Sequence, residues 1–123
     1  MTHSSVSDIK RAQKESALLR IISTLFMQVA RDDKRIQDIS VQRVTLSPDK
    51  GTCYVYFYSP QGQAHFDTQL SILKLYKPSL RKALADSFQS RYTPEIVFKF
   101  DEQFEKALKI EQLIDKVKAD DQF

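Results

Sequence analysis

The sequence has 123 residues, of which 41% are apolar, and carries a formal net charge of +3. This length supports one compact domain, and no apolar run approaches the roughly 20 residues that would span a bilayer. One cysteine excludes an internal disulfide, and one cysteine with two histidines excludes a four-ligand Cys/His zinc site.

These features predict a single domain over residues 1–123, with an ordered core at about 7–118 and short flexible ends. Because the N-terminal segment lacks the apolar stretch of a secretory signal, we expect a cytoplasmic protein. Charge is uneven: residues 1–94 contain 14 basic and 8 acidic side chains, whereas residues 95–123 contain 5 and 8. A basic body favours a polyanion partner, although many ordinary cytosolic proteins share this asymmetry.

The first predicted element is a helix from about Ser7 to Arg31. Apolar residues between Leu18 and Val29 recur every three or four positions, which is the period of a helix with one buried face. The polar side carries several cations, among them Lys14 and Arg20.

A β-hairpin follows, formed by "DISVQRVTLS" and "TCYVYFYS" around the turn "PDKG". In the second strand an apolar row of Cys53, Val55 and Phe57 alternates with a tyrosine row of Tyr54, Tyr56 and Tyr58. The tyrosine row is a candidate surface for base stacking. Covering a helix or lining a half-buried sheet face is the more common role of such residues.

Residues 63–89 again show a helical pattern, interrupted by Pro78. Proline lacks an N–H and clashes with the preceding turn, so we expect a kink near Tyr76 and Lys77. The densest basic cluster of the chain surrounds this kink: Lys74, Lys77, Arg81 and Lys82.

A third strand is predicted at "EIVFKF", after Pro94, and a final helix from about Asp101, whose side chain suits an N-cap. An apolar stripe on this helix predicts a docking face: Phe104, Leu108, Ile114 and Val117.

Enzymatic function is not predicted. With only two glycines, the chain contains neither a P-loop nor a dinucleotide-binding fingerprint. Cys53 lies within a strand between large neighbours, which indicates a buried apolar residue rather than a nucleophile. We therefore expect no catalytic residue, no cofactor and no metal.

The predicted element order indicates an α+β fold, with a three-stranded sheet, helices packed on one face and a kinked central helix pair. This order matches a single-domain type II KH-like arrangement. KH folds commonly bind RNA, although the GXXG loop that clamps backbone nucleotides is missing.

Two separated motifs resemble the ribosome-binding factor A family. The stretch "ISVQRVTLSPDKGTCYVYF" is similar to the family's hairpin, through Val44, Leu46, Ser47, Pro48, Asp49, Val55, Tyr56 and Phe57. The second motif precedes the last helix and consists of Arg91, Pro94, Glu95, Phe98 and Asp101. The resemblance extends from about Leu18 to Ile114.

The chain departs from the family pattern at two places. The family bends its central helices at Ala-x-Gly, where this sequence has Tyr76, Lys77 and Pro78. An Asp-Pro-Arg before the first strand is replaced by residues 33–35, Asp-Lys-Arg, which keeps the charges and loses the rigid φ of proline.

The resemblance implies a maturation factor that binds the free 30S small ribosomal subunit and 16S rRNA, assists late rRNA processing and matters most in the cold. It also leaves small-subunit ribosomal proteins as possible partners, and we expect a monomer with no membrane partner. Electrostatic docking on phosphates would then use the basic residues Arg43, Lys74, Lys77, Arg81, Lys82, Arg91, Lys14 and Arg20. The alternative is a protein-interaction module without direct RNA binding.

Overall fold

The computed structural model describes residues 6–88 and 93–120 as a three-stranded sheet with four α-helices. The elements in chain order are α1 (Val6–Asp32), β1 (Ser40–Leu46), β2 (Thr52–Tyr58), α2 (Gln63–Leu75), α3 (Lys77–Ser87), β3 (Glu95–Phe100) and α4 (Glu102–Asp120). The predicted order is confirmed. A short 3-10 helix at Lys34–Ile36 was not predicted, because three residues are too few to show a period.

The strand order in the sheet is β1-β2-β3. β1 and β2 form the predicted antiparallel hairpin, with Val44 opposite Val55, and β3 pairs parallel to β2, with Phe98 opposite Val55. A parallel neighbour requires a crossover connection, which α2 and α3 provide. β2 is therefore the central strand.

The core lies between one face of the sheet and helices α1, α2 and α3. Phe57 of β2 is at its centre, with its ring centroid 5.2 Å from that of Phe26, 5.8 Å from Phe66 and 5.6 Å from Phe98. These rings come from α1, α2 and β3, so a single side chain joins four elements. The apolar row of β2 is buried, as predicted, and the tyrosine row points to the other face.

The central helix pair breaks at Tyr76, as predicted. The Tyr76 amide still donates to the Leu73 carbonyl at 3.0 Å, and the Tyr76 carbonyl accepts from the Leu80 amide at 3.0 Å. Pro78 lies in the first turn of α3, where its missing N–H leaves no helical hydrogen bond unmade. The backbone thus changes direction with little loss of hydrogen bonding.

Asp101 caps α4, as predicted, and also binds across the sheet. Its Oδ1 accepts from the Phe104 amide at 3.1 Å, and its Oδ2 accepts from Arg43 Nε at 2.9 Å. The Asp101 side chain is only 2% exposed. One buried carboxylate therefore links β1, the end of β3 and the start of α4.

Within the described residues, α4 packs on the rest of the chain near its start. Phe104 packs against Tyr58 at 4.9 Å between ring centroids, and Leu108 is half-buried. The prediction that Ile114 and Val117 dock is wrong, since they are 48% and 52% exposed. Only Asp101 separates β3 from α4, so no loop turns the helix back over the sheet.

No helix within residues 6–88 and 93–120 combines the length and the apolarity needed to cross a membrane.

Asp101→Ala should lower the free energy of unfolding by about 2–4 kcal/mol, because it removes an N-cap and leaves the Arg43 guanidinium without its carboxylate. Urea unfolding measures this loss. Asp115→Ala, at an exposed position of α4, is the matched control and should change stability by no more than about 0.5 kcal/mol. If the two substitutions lowered the free energy of unfolding equally, the buried Asp101 carboxylate would contribute no more stability than an exposed one.

Candidate nucleic-acid interface

The basic residues predicted to bind RNA do not form one patch. Those near the helix break lie on α2 and α3, on the side of the sheet that the helices cover, whereas Arg43 lies on the opposite face. Arg91 lies outside the described residues. We call the segment from Lys74 to Lys82, which contains the break at Tyr76, the elbow.

Two of the four elbow cations are free for a partner. Lys74 and Lys82 are exposed, and within the described residues neither forms an ion pair. Lys77 is half-buried, with Nζ 5.6 Å from the centroid of the Phe98 ring. Arg81 Nη1 lies 3.6 Å from Glu95 Oε2. Lys77 and Arg81 therefore hold α3 against β3, and Lys74 and Lys82 remain available.

The side chains of the elbow, and not the helix ends, give it its positive charge. α3 begins without an acidic residue in its first turn, but it follows directly after α2, whose C-terminal end carries the opposite partial charge. Lys74 and Lys82 therefore supply the charge that attracts anions, phosphate among them.

Lys14 and Arg20 lie on α1, which packs against α3. Lys14 is half-buried, with Nζ 5.8 Å from the centroid of the Phe88 ring at the end of α3. Arg20 is on the exposed side of α1. Both belong to the helical side of the molecule, but Lys14 is partly engaged in packing.

Arg43 is held on the opposite face of the sheet. Its guanidinium lies 3.8 Å from the centroid of the Tyr56 ring and forms the ion pair with Asp101. The sheet separates it from the elbow. Spacing along the sequence does not reveal this, because the face that a strand residue occupies depends on the register of its pairing.

A cluster that the sequence did not predict fixes the position of the elbow. The Tyr76 hydroxyl donates to Asp33 Oδ2 at 2.5 Å, and the Arg35 guanidinium donates to both carboxylate oxygens of Asp33 at 2.8 and 2.9 Å. Hydrogen bonds from Arg35 and then from Tyr76 hold the pKa of Asp33 well below its usual range. The bond to Asp33 raises the pKa of the Tyr76 phenol.

This cluster joins two segments that are far apart in the sequence. Asp33 and Arg35 belong to the connector between α1 and β1, and Tyr76 is the residue at which the central helices break. The connector and the helix break are thus bound to each other. Both segments can be located in the sequence, but the contact between them is tertiary.

Cys53 has the environment of a buried apolar residue. Its side chain is fully buried, and burial, together with the charge of Glu15, raises its pKa to about 12, so the reactive thiolate is disfavoured. Within the ranges that the structure describes, no group of three or more His, Cys, Asp or Glu side chains is placed to hold a metal ion.

Comparison with known proteins identifies the family. The family model described as "Ribosome-binding factor A" matches residues 10–114, most of the chain. The chain belongs to the ribosome-binding factor A family. That name describes a protein that binds ribosomes and does not denote a class of enzyme.

Individual family members agree with this assignment. Ribosome-binding factor A of Prochlorococcus marinus strain AS9601 is 30% identical over 114 residues, which cover 91% of this chain and 88% of the relative. That of Clostridium acetobutylicum is 28% identical over 102 residues, covering 83% and 84%. The similarity therefore extends over nearly the full length of both relatives.

Solved structures of the family show the same fold. The crystal structure of ribosome-binding factor A from Thermus thermophilus has a TM-score of 0.60 at 26% identity, covering 72% of this chain and 92% of that one. A solution structure of a putative ribosome binding factor A from Thermotoga maritima has a TM-score of 0.64 at 24% identity, covering 72% and 84%. The predicted KH-like α+β fold is confirmed.

The Asp33 cluster predicts a pH dependence of stability. Because the folded-state pKa of Asp33 lies below its ordinary value of 3.8, ionised Asp33 stabilises the folded protein above about pH 4, and this contribution is lost as the pH falls further. We expect the stability difference between the native protein and Asp33→Asn to be full at pH 7 and to shrink from about pH 4 downward. Urea unfolding at a series of pH values measures it.

Hydrogen bonds from Ser47 and Gly51 also lower the pKa of Asp49, so Asp49 adds an acid dependence of its own. It is present in both proteins, so its contribution cancels in the difference. A stability difference that stayed constant between pH 7 and pH 2 would contradict the assigned ionic interaction.

Proposed function

We propose that the protein binds the free 30S ribosomal subunit, contacts 16S rRNA with the elbow and assists late rRNA maturation without catalysing a reaction. Membership of a family of ribosome-binding factors supports the ribosome as partner. The observation that carries the RNA contact is the pair of exposed cations, Lys74 and Lys82, on either side of the helix break at Tyr76.

The proposed mechanism is electrostatic docking on the phosphate backbone. Lys74 and Lys82 neutralise phosphates and release their counterions, which favours binding at low and moderate salt. The Asp33 cluster holds the helix break in one geometry, so the cations are positioned before RNA arrives and less conformational entropy is lost on binding. RNA shape then selects the site, as it does for many proteins that recognise structured RNA.

A protein that stabilises one folded form of rRNA would act as a folding aid. We expect this role to matter most at low temperature, because misfolded RNA then rearranges slowly into its native structure. The proposal places the protein in the cytoplasm, as a monomer, with 16S rRNA as its main contact. Small-subunit ribosomal proteins are its further candidate partners.

A second candidate function rests on α4. Four large apolar residues of this helix are 48–63% exposed and recur at spacings of three and four: Ile110, Leu113, Ile114 and Val117. This is the pattern with which an amphipathic helix enters an apolar groove of a protein. A protein-interaction module would use this stripe, and its elbow cations would serve solubility alone.

Lys74→Glu with Lys82→Glu should weaken binding to free small subunits by roughly tenfold or more, because two phosphate contacts are lost and two repulsive charges are added. The slope of the logarithm of the binding constant against the logarithm of salt concentration should fall by about one per lost contact. Co-sedimentation with separated ribosomal particles, at low and moderate salt, measures both.

Lys116→Glu with Lys118→Glu makes the same change of charge at exposed positions of α4 and is the matched control. It should leave binding within about twofold of the native protein, since it removes no proposed phosphate contact. If both variants weakened binding equally, the effect of the elbow substitutions would be explained by the change in net charge alone. No binding of the native protein to any particle would contradict the proposed function.

Ile110→Gln with Leu113→Gln separates the two candidate functions. Both positions are exposed, so the fold should be retained. RNA docking through the elbow predicts unchanged binding of this variant to small subunits in the co-sedimentation assay. Loss of particle binding, together with retained binding by the elbow variant, would instead favour the protein-interaction module.

A further inference from the structure

The face of the sheet turned away from α1, α2 and α3 is largely open. Alternate residues of the three strands form it, and its central row is that of Tyr54, Tyr56 and Tyr58. Within the described ranges only the start of α4 packs here, where Phe104 covers Tyr58. Tyr54 and Tyr56 are half-buried, so part of each phenol ring is reached by solvent.

Cations flank these two rings. In the strand register Tyr56 lies between Arg43 of β1 and Lys99 of β3. The Arg43 guanidinium is 3.8 Å from the Tyr56 ring centroid, and Lys99 Nζ is 4.7 Å from that of Tyr54. The centre of the open face therefore combines aromatic surface with positive charge.

The two cations differ in what they offer a ligand. Arg43 is fixed by two hydrogen bonds to buried Asp101, at 2.9 and 3.4 Å, and its side chain is still 36% exposed. It presents a planar group whose charge is largely compensated. Lys99 is exposed and, among the described residues, forms no ion pair. It presents a charge that lies against the Tyr54 ring and that no carboxylate of the described residues neutralises.

We propose that this open face is a second RNA-binding site, which takes an unpaired single strand. Bases stack on the solvent-reached parts of Tyr54 and Tyr56 and on the outer side of the Arg43 plane, and Lys99 leaves the Tyr54 ring to contact the phosphates between them. Aromatic rings and guanidinium planes on a sheet are the groups on which unstacked bases are recognised. The proposal rests on the proposed function, since it takes RNA as the partner.

The shape of the surface agrees with this ligand. Tyr56 and Lys99 line a groove of about 520 Å³ that continues around the free edge of β3 toward Phe66 and Leu70 of α2. Asp67 and Glu102 also line it, so the groove suits bases, and the phosphates stay on the side of Lys99. Unstacked bases of a single strand can enter such a groove. The stacked bases of a duplex cannot, so a duplex would contact only the edge of the groove. With the elbow on the other side of the sheet, the protein could hold a duplex and keep a neighbouring strand unpaired.

The test compares Tyr54→Leu with Tyr56→Leu against the matched pair Tyr54→Phe with Tyr56→Phe. Leucine places an apolar side chain on the strand but has no aromatic ring on which a base can stack. Phenylalanine retains the aromatic ring. Affinity is measured with a fluorescently labelled single strand of about 12 nucleotides, a length in the range that such sites cover, and with an RNA hairpin. The leucine variant should bind the single strand about tenfold more weakly and the hairpin as the native protein does; the phenylalanine variant should bind both normally.

Intrinsic fluorescence gives a second readout. The chain has five tyrosines and no tryptophan, so its emission comes from tyrosine. A base stacked on Tyr54 or Tyr56 should quench part of that emission. In the phenylalanine variant the single strand should still bind, but most of the quenching should disappear. This readout does not depend on the stability of the leucine variant.

Three results would overturn the inference. The first is unchanged affinity of a folded leucine variant for the single strand, and the second is an equal loss for single strand and hairpin. The third is quenching that persists in the phenylalanine variant. In all three the elbow proposal survives, provided that Lys74→Glu with Lys82→Glu weakens hairpin binding. Failure of the native protein to bind either RNA would overturn both proposals together.

Discussion

The fold depends on the packing of one side of β2. Cys53, Val55 and Phe57 are all within 1% of full burial, and Phe57 alone contacts rings from α1, α2 and β3. Because side chains alternate along a strand, burying this row commits the tyrosine row to the other face. With α1, α2 and α3 all on the core side, the molecule acquires two chemically different surfaces, a helical side with exposed lysines and a sheet face with phenol rings.

Each surface is held by a polar cluster that includes one acidic residue. Asp33 accepts from Arg35 and Tyr76 and fixes the helix break, and Asp101 accepts from Arg43 and caps α4. Hydrogen bonds donated to an ionised carboxylate are shorter and stronger than those between neutral groups. Both clusters place a basic side chain where it cannot rotate freely. In the proposed RNA complex such order favours affinity, because less entropy is lost on binding.

Period and turn chemistry in the sequence predicted the elements well. β3 was predicted at its observed bounds, the break fell at Tyr76, and Asp101 was identified as a cap. The features that could not be predicted are those set by tertiary position: Arg43 and Lys74 looked alike in sequence, but the strand register places them on opposite faces. Tyr76 and Asp33 are 43 residues apart, and neither residue type predicts that their side chains form a hydrogen bond. The apolar stripe of α4 has the period of a docked helix, yet it is covered only near its start, at Phe104 and Leu108, within the described residues, and Ile114 and Val117 are exposed.

The most direct test of the central claim is hydrogen–deuterium exchange of the native protein, free and bound to free small ribosomal subunits, read out by mass spectrometry. RNA docking through the elbow predicts that peptides covering residues 74–82 exchange more slowly in the complex, while those covering residues 109–120 are unchanged. Protection confined to residues 109–120, with none at the elbow, would contradict the account and identify α4 as the binding element.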